Sequence, residues 1–256
     1  MTPTSQYSSD AKARVILQGP PGSRKSSLAC FFPRPYFIDL DKNLAGVINF
    51  HREHNLPLPV GYDHADKDKN GKPIGNLIGK KTEQEIARQL APRYDRLNEL
   101  LMDAQVSNEF DTFVLDSGSV LHQLLWAWTN VQQSFPKDGR QAYGFFYNYG
   151  MALINVLMSI NKHVVLTVHE EVKEDPVTSL AQYKMAWPGK LASFMGAYFT
   201  NVWRSEVKKV GNNYEQKLRT VQDATFYGLK NDLDLPPEFK FDWNVIQEKL
   251  NKQVSL

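Results

Sequence analysis

The chain contains one cysteine, Cys30, in 256 residues. No internal disulfide can form, and a zinc module built on several cysteines is excluded. Neither charge is in excess: 30 Lys and Arg stand against 28 Asp and Glu, a formal net charge of +2. That excludes a polybasic, histone-like protein and leaves room for a local cationic patch. A long apolar run is also missing. The most apolar helical stretch, Met151 to Ile160, contains Asn155 and falls well short of the roughly 20 residues a membrane span needs. Met1 to Asp10 is polar, with no basic segment followed by an apolar one as in a signal peptide. There is no internal repeat and no long low-complexity tract. These absences predict a reduced, cytoplasmic protein with no membrane partner.

What remains is ordinary globular composition, 42% apolar and 23% charged, at a length that suits one large domain. We expect a tail over 1–12 and a single domain over 13–256. Ala13–Gln18, Tyr36–Leu40, Thr112–Leu115 and His163–Val168 are short apolar runs with the character of buried strands. Helical spacing marks Lys25–Phe31, Leu44–His54, Thr82–Gln105, Leu121–Val131, Tyr143–Ile160 and Asp242–Lys252. Residues 61–81 are hydrophilic and carry Asn70-Gly71, which predicts an exposed β-hairpin insertion. A loop over Glu170–Pro188 precedes a second hairpin, Phe199–Lys208 with Tyr214–Val221, around Gly211-Asn212-Asn213. Strands alternating with helices predict an α/β fold: a mainly parallel sheet, helices on both faces, and an antiparallel hairpin at the C-terminal edge.

The sharpest motif is Gly19-Pro20-Pro21-Gly22-Ser23-Arg24-Lys25-Ser26, lying between a strand and a helix. It follows the phosphate-loop pattern G-x-x-x-x-G-K-[ST], except that Arg24 stands where the second conserved Gly is expected. In such a loop consecutive backbone N–H groups wrap the phosphates of ATP, and residues through Ser27 form the cradle. Lys25 would reach the β- and γ-phosphates, and Ser26 would ligate Mg²⁺. Arg24 could crowd the loop or add a phosphate contact. Asp116, at the end of the Phe113-Val114-Leu115 strand, is the candidate acidic partner for Mg²⁺, or else a cap of the next helix. Ile38-Asp39-Leu40-Asp41 ends the second strand. Asp41 is the better candidate to orient the attacking water or act as its base, and a helix cap is the alternative. His169, at the end of the fourth apolar strand, would face the γ-phosphate.

These strand ends, taken in order, resemble the RecA-type recombinase core. The chain is also similar to the small RecA-like P-loop NTPases of bacteriophages, the group that includes Sak-type single-strand annealing proteins. The resemblance runs over roughly residues 13–246. It places Asp41 where the family has a catalytic Glu, Asp116-Ser117 at the family's Asp-Ser, and His169 at its sensor. Gly189-Lys190, Tyr227-Gly228-Leu229-Lys230 and Leu235-Pro236 fit the phage group. The resemblance implies ATP hydrolysis with Mg²⁺, single-stranded DNA as partner, assembly into a homo-oligomeric ring or filament, and a place in the host cytoplasm if the chain is phage-encoded. DNA would lie along two loops, near Val131–Tyr143 and Glu171–Lys190. Their candidates are Lys137 and Arg140 in the first and Lys184, Trp187 and Lys190 in the second, cations for phosphates and an aromatic for bases. Arg204, Lys208, Lys209, Arg219 and Lys230 are candidates for a cation reaching a neighbouring subunit's nucleotide. The run Tyr143–Tyr149 suits packing better than a stacking platform. Two other readings stay open: a nucleotide-dependent assembly module with little or no hydrolysis, and a small-molecule kinase.

Overall fold

The computed structural model describes residues 12–75, 81–135, 137–175, 178–211 and 213–252. Among the described residues ten strands form one sheet system, with its main path in the order β10-β8-β7-β1-β5-β4-β2-β3. They are β1 (Arg14–Gly19), β2 (Pro35–Asp39), β3 (Gly61–Asp63), β4 (Thr112–Asp116), β5 (His163–Glu174), β6 (Ala181–Met185), β7 (Asn201–Val210), β8 (Asn213–Arg219), β9 (Lys230–Asn231) and β10 (Glu238–Phe239). From β7 to β3 every neighbouring pair is parallel. β8 and β10 continue the sheet antiparallel at the C-terminal edge. The helices are α1 (Lys25–Ala29), α2 (Leu44–Glu53), α3 (Glu83–Val106), α4 (Gly118–Gln132), α5 (Gly139–Ser159), α6 (Gly189–Tyr198) and α7 (Trp243–Lys252). The fold class expected from sequence is therefore the one found.

The two-residue period of a strand divides the apolar runs between two cores. Ile16, Phe113, Leu115, Val164 and Leu166 face one cluster, with Leu97, Leu121, Leu153 and Leu191 from α3 to α6. Val15, Leu17, Val114 and Val165 face the other, with Leu28, Leu44 and Ile246 from α1, α2 and α7. Because both faces are covered, the central strands are apolar throughout rather than alternating. Polar residues then stand out where a central strand ends.

Three segments differ from expectation. Residues 61–63 are a parallel edge strand on β2, not the first arm of a hairpin. The Asn70-Gly71 turn does form, closed by Asp68, which accepts from the backbone N–H of Asn70 and Lys72 at 2.8 and 2.9 Å. The buried Ala65 anchors this segment to the core; residues 76–80 of the expected insertion lie outside the described residues, as do 1–11 of the expected tail. The expected loop over 170–188 is instead largely a hairpin, since β5 runs on to Glu174 and pairs antiparallel with β6. Residues 189–198, given no element above, form α6. The charged extension of β5 has left the two-sided core, so its sequence no longer looks like a buried strand.

Candidate functional site: a phosphate cleft

The strand after the phosphate loop in sequence, β2, lies beyond β5 and β4 on one side of β1, while β7 lies on the other. The loop after β1 therefore opens where the sheet's winding reverses, the position at which open α/β sheets bind ligands. A cleft of about 390 Å³ lies there, with Lys25, Ser26, Asp41, Asp116, Thr167 and His169 in its lining. Four strand ends thus deliver to one cavity the catalytic candidates chosen from sequence.

Gly19 begins the loop at a place with no room for a side chain. A Cβ there would stand 2.5 Å from the Ser205 carbonyl oxygen and 2.6 Å from Ser23 Oγ. Two residues of the C-terminal hairpin fasten the loop from behind. Ser205 Oγ donates to the Ser23 carbonyl at 2.6 Å, and Gln216 Nε2 donates to the carbonyls of Ser23 and Arg24 at 3.3 and 3.1 Å. Pro20 accepts from the Ser23 N–H at 3.2 Å. Pro21, Gly22, Arg24 and Ser27 also line the cleft. Arg24 takes the glycine position with φ 60°, in the left-handed region.

Lys25 is buried, its ammonium folded onto the Gly19 and Pro20 carbonyls at 2.9 Å each. Burial pulls its pKa down to about 8, against the opposing pull of Asp116, Glu170 and Asp41. Asp116 is also buried, and burial raises its pKa to about 6; the neighbouring Ser26 and Thr167 hydroxyls act in the other direction. The Thr167 hydroxyl donates to Oδ1 of Asp116, while Oδ2 has no hydrogen-bond partner. Asp41 accepts from the Ser117 hydroxyl at 2.9 Å, and its other oxygen lies 3.8 Å from His169 Nε2. The His169 pKa is lowered, chiefly by burial and then by Lys25. Asp39 takes the capping role instead: it accepts from the Leu44 N–H at the start of α2, at 3.3 Å, and lies 3.7 Å from His64.

An unpartnered, fully enclosed carboxylate oxygen beside a serine hydroxyl is a donor set that suits Mg²⁺, a hard cation bound by one or two protein oxygens together with phosphate. Ser26 and Asp116 fit that role.

The phosphate loop and the strand-end Asp occupy one family pattern, and residues 11–230 match the family model described as the AAA domain. The chain belongs to the AAA domain family. It is accordingly a nucleotide-binding P-loop NTPase domain. No curated protein matches the chain. Among solved structures, this AAA domain is similar to the flagellar accessory protein FlaH from Methanocaldococcus jannaschii, with 11% identity, a TM-score of 0.39, and coverage of 90% of this chain and 87% of that one. It is also similar to the KaiC-like protein PH0186 from Pyrococcus horikoshii OT3, with 11% identity, a TM-score of 0.33, and coverage of 80% and 77%.

The DNA candidates of the AAA domain divide into two groups. Lys137, Arg140 and Lys190 are exposed. Of these, Lys137 lines a groove of about 840 Å³ between α3, α4 and α5, together with Trp126, Phe135 and Tyr143, while Arg140 and Lys190 lie outside that lining on the segments that follow its Gly139 and Pro188. The Lys190 N–H donates to the Tyr143 hydroxyl at 3.1 Å, which joins the two segments expected to carry DNA. Lys184 lies on β6 with its ammonium over the Tyr227 ring, 5.1 Å from the centroid. Trp187 departs from expectation. It is 5% exposed and donates Nε1–H to the Gly118 carbonyl at 2.9 Å, so its ring packs in the core and offers no face to a base. Phe146 is buried as well, and Tyr147 and Tyr149 pack on Phe194 and Trp128, in line with the packing reading of that run.

Among the late cations, Arg204 is buried in a bidentate pair with Glu170, at 2.8 and 2.9 Å, and also binds Glu206 at 2.7 Å. Arg219 pairs with Glu238 and Asp223, Lys208 with Glu206, and Lys230 with Asp232 and two backbone carbonyls. Lys209 is the exposed one with no ion pair among the described residues. Sequence reasoning missed Thr167, Ser205, Gln216 and Phe50. Thr167 left a trace, as a hydroxyl within an otherwise apolar strand; the others left none.

Proposed function

We propose that this AAA domain hydrolyses ATP with Mg²⁺, and that it is a phage recombination protein that binds single-stranded DNA and promotes annealing or strand pairing as a ring or filament of identical subunits. The observation that carries the hydrolysis is the convergence of Lys25, Ser26, Asp41, Asp116 and His169 on one cleft. Lys25 exchanges its two loop carbonyls for nucleotide phosphates. Asp41, held by the Ser117 hydroxyl, is placed to orient a water or accept its proton. His169, its pKa lowered, serves as a neutral hydrogen-bonding contact to the terminal phosphate. Ser26 and Asp116 would hold Mg²⁺, which would supply neutralisation of the charge that develops on the phosphates. DNA binding is supported by Lys137 in an aromatic-lined groove, with the exposed Arg140 and Lys190 on the segments bordering it, a pairing of cations with rings that suits single strands of any sequence.

The test is ATP hydrolysis with and without single-stranded DNA, alongside the mass of the complex in each state. We expect DNA to stimulate hydrolysis, and Lys25→Ala to lower it at least ~100-fold, the scale for removing one charge-stabilising contact from a transition state. A wild-type protein with no turnover would leave the assembly-module reading in its place. Turnover indifferent to DNA, with no DNA retained at low salt, would sink the recombination reading alone.

A further inference from the structure

Arg24 breaks the phosphate-loop pattern at the residue before the lysine, and it does so in a backbone conformation that favours glycine. Its φ of 60° and ψ of 33° are left-handed, a state that costs a side-chain-bearing residue of the order of 1 kcal/mol or more. The cost is held in place by neighbours: Gln216 Nε2 binds the Arg24 carbonyl, and Ser205 and Gln216 bind the carbonyl before it. A strained position of this kind, kept in a site by surrounding bonds, calls for a use of the side chain.

The side chain is placed for one. Arg24 lines the same cleft as Lys25, Asp41 and Asp116. Its guanidinium lies over the Phe50 ring at 4.9 Å, on the wall that α2 builds beside Asp41. It is exposed and has no carboxylate partner among the described residues, unlike Arg204. The charges lining the cleft are then Arg24 and Lys25 against Asp41 and Asp116, with His169 shifted toward neutrality. Without Arg24 the two carboxylates outnumber the one lysine, a poor reception for a polyanion. With it the cleft has a second cation able to form paired hydrogen bonds to phosphate oxygens.

We infer that Arg24 is a phosphate-contacting residue: its guanidinium, braced on Phe50, binds the terminal phosphate of the nucleoside triphosphate from within the same subunit. The inference rests on the nucleotide reading of the cleft and adds a contact that the motif does not contain. It also inverts the motif's own logic. Arg24→Gly restores the phosphate-loop pattern, and ought to improve binding if Arg24 is only an imperfection.

The experiment titrates ATP and ADP, with Mg²⁺, into wild type, R24G and R24K, and records thermal unfolding of each. We expect R24G to lose roughly 10- to 100-fold in ATP affinity, the range for a charge-assisted contact, while ADP affinity changes less than about 3-fold. R24K falls between, and the unfolding midpoint of R24G is equal to or above that of wild type as strain is relieved. ATP binding by R24G as tight as wild type, or an equal loss of ATP and ADP, overturns the inference while leaving the nucleotide site intact. A wild type that binds neither nucleotide overturns both.

Discussion

Two buried clusters of charge sit within a few residues of each other along β5, and they are built on opposite terms. Around Arg204 the carboxylates of Glu170 and Glu206 meet the guanidinium directly, and the Phe226 and Tyr183 rings lie against it at 4.4 and 5.3 Å. In the phosphate cleft, Asp116 Oδ2 and His169 Nδ1 have no partner and Lys25 rests on backbone carbonyls. Burying a polar group without a partner costs free energy, so a fold that leaves several in one cavity keeps them for a ligand. A cluster that has already matched its charges holds the structure together. The contrast explains why a basic residue near a nucleotide cleft is no evidence of a role there.

Exchanging the two cations tests that contrast most severely. Arg204→Ala strands the Glu170 carboxylate in a nearly closed site, while Glu206 keeps Lys208 at 2.8 Å, and should cost about 3–5 kcal/mol of stability, as breaking one side of a buried pair does. Lys25→Ala should lose activity yet unfold at or above the wild-type denaturant midpoint, because it removes a poorly solvated ammonium. Denaturant titration of both variants measures this. A stable Arg204→Ala protein with impaired nucleotide binding would place Arg204 in the site and erase the distinction.

Asp116 sharpens it through pH. Its pKa in the folded chain is raised to about 6 by burial, above the ordinary value of about 3.9. The folded state therefore holds a proton that the unfolded state has released between about pH 4 and pH 6. Stability contributed by this group is full below that window and declines as pH rises through it, by up to ~1.4 kcal/mol per pH unit. Asp116→Asn should flatten that part of the stability profile. Metal binding has the opposite sense, since the ligand must be ionised: Mg²⁺-dependent nucleotide affinity of wild type should fall below about pH 6. Nucleotide titrations at pH 5 to 8 with and without Mg²⁺ would separate the two. An affinity unchanged across that range would remove Asp116 from the metal's reach.

The strand ends were legible because two-sided burial leaves such a plain signature. Val-Ile-Leu, Phe-Val-Leu and Val-Val-Leu runs suit strands of a sheet covered on both faces, and in this fold the first acid or His after each of the last two marks the ligand edge. Asp41 and Asp39 were separable only in part, since an acid two residues along can face the cleft or cap the helix that follows. Trp187 was misplaced for a different reason. An aromatic among lysines reads the same whether it faces a base or the Gly118 carbonyl, and only the packing of α4 against β5 decides. The strand extension at 169–174 was lost because its charged residues lie beyond the core, where strand and loop have the same composition.

Gln216 gives the smallest effect and the most informative one about distance. It stands 192 residues after Arg24 in the chain and yet donates to the carbonyls of Arg24 and Ser23, and also to Ser205 Oγ at 3.0 Å. Those bonds neither touch a nucleotide nor close a core, so Gln216→Ala should change global stability by less than about 1 kcal/mol. Their effect is on the loop that must present its N–H groups to phosphate. A loop freed on that side has more conformations to surrender on binding, which should weaken ATP by about 3-fold and ADP by a similar factor, because the whole cradle loosens rather than one contact. Equal loss for the two nucleotides distinguishes this pinning from the phosphate contact assigned to Arg24, where ATP alone suffers. If Gln216→Ala instead discriminated between ATP and ADP, the hairpin would be reading the terminal phosphate, and the separation between the edge that braces and the cleft that binds would have to be redrawn at β8.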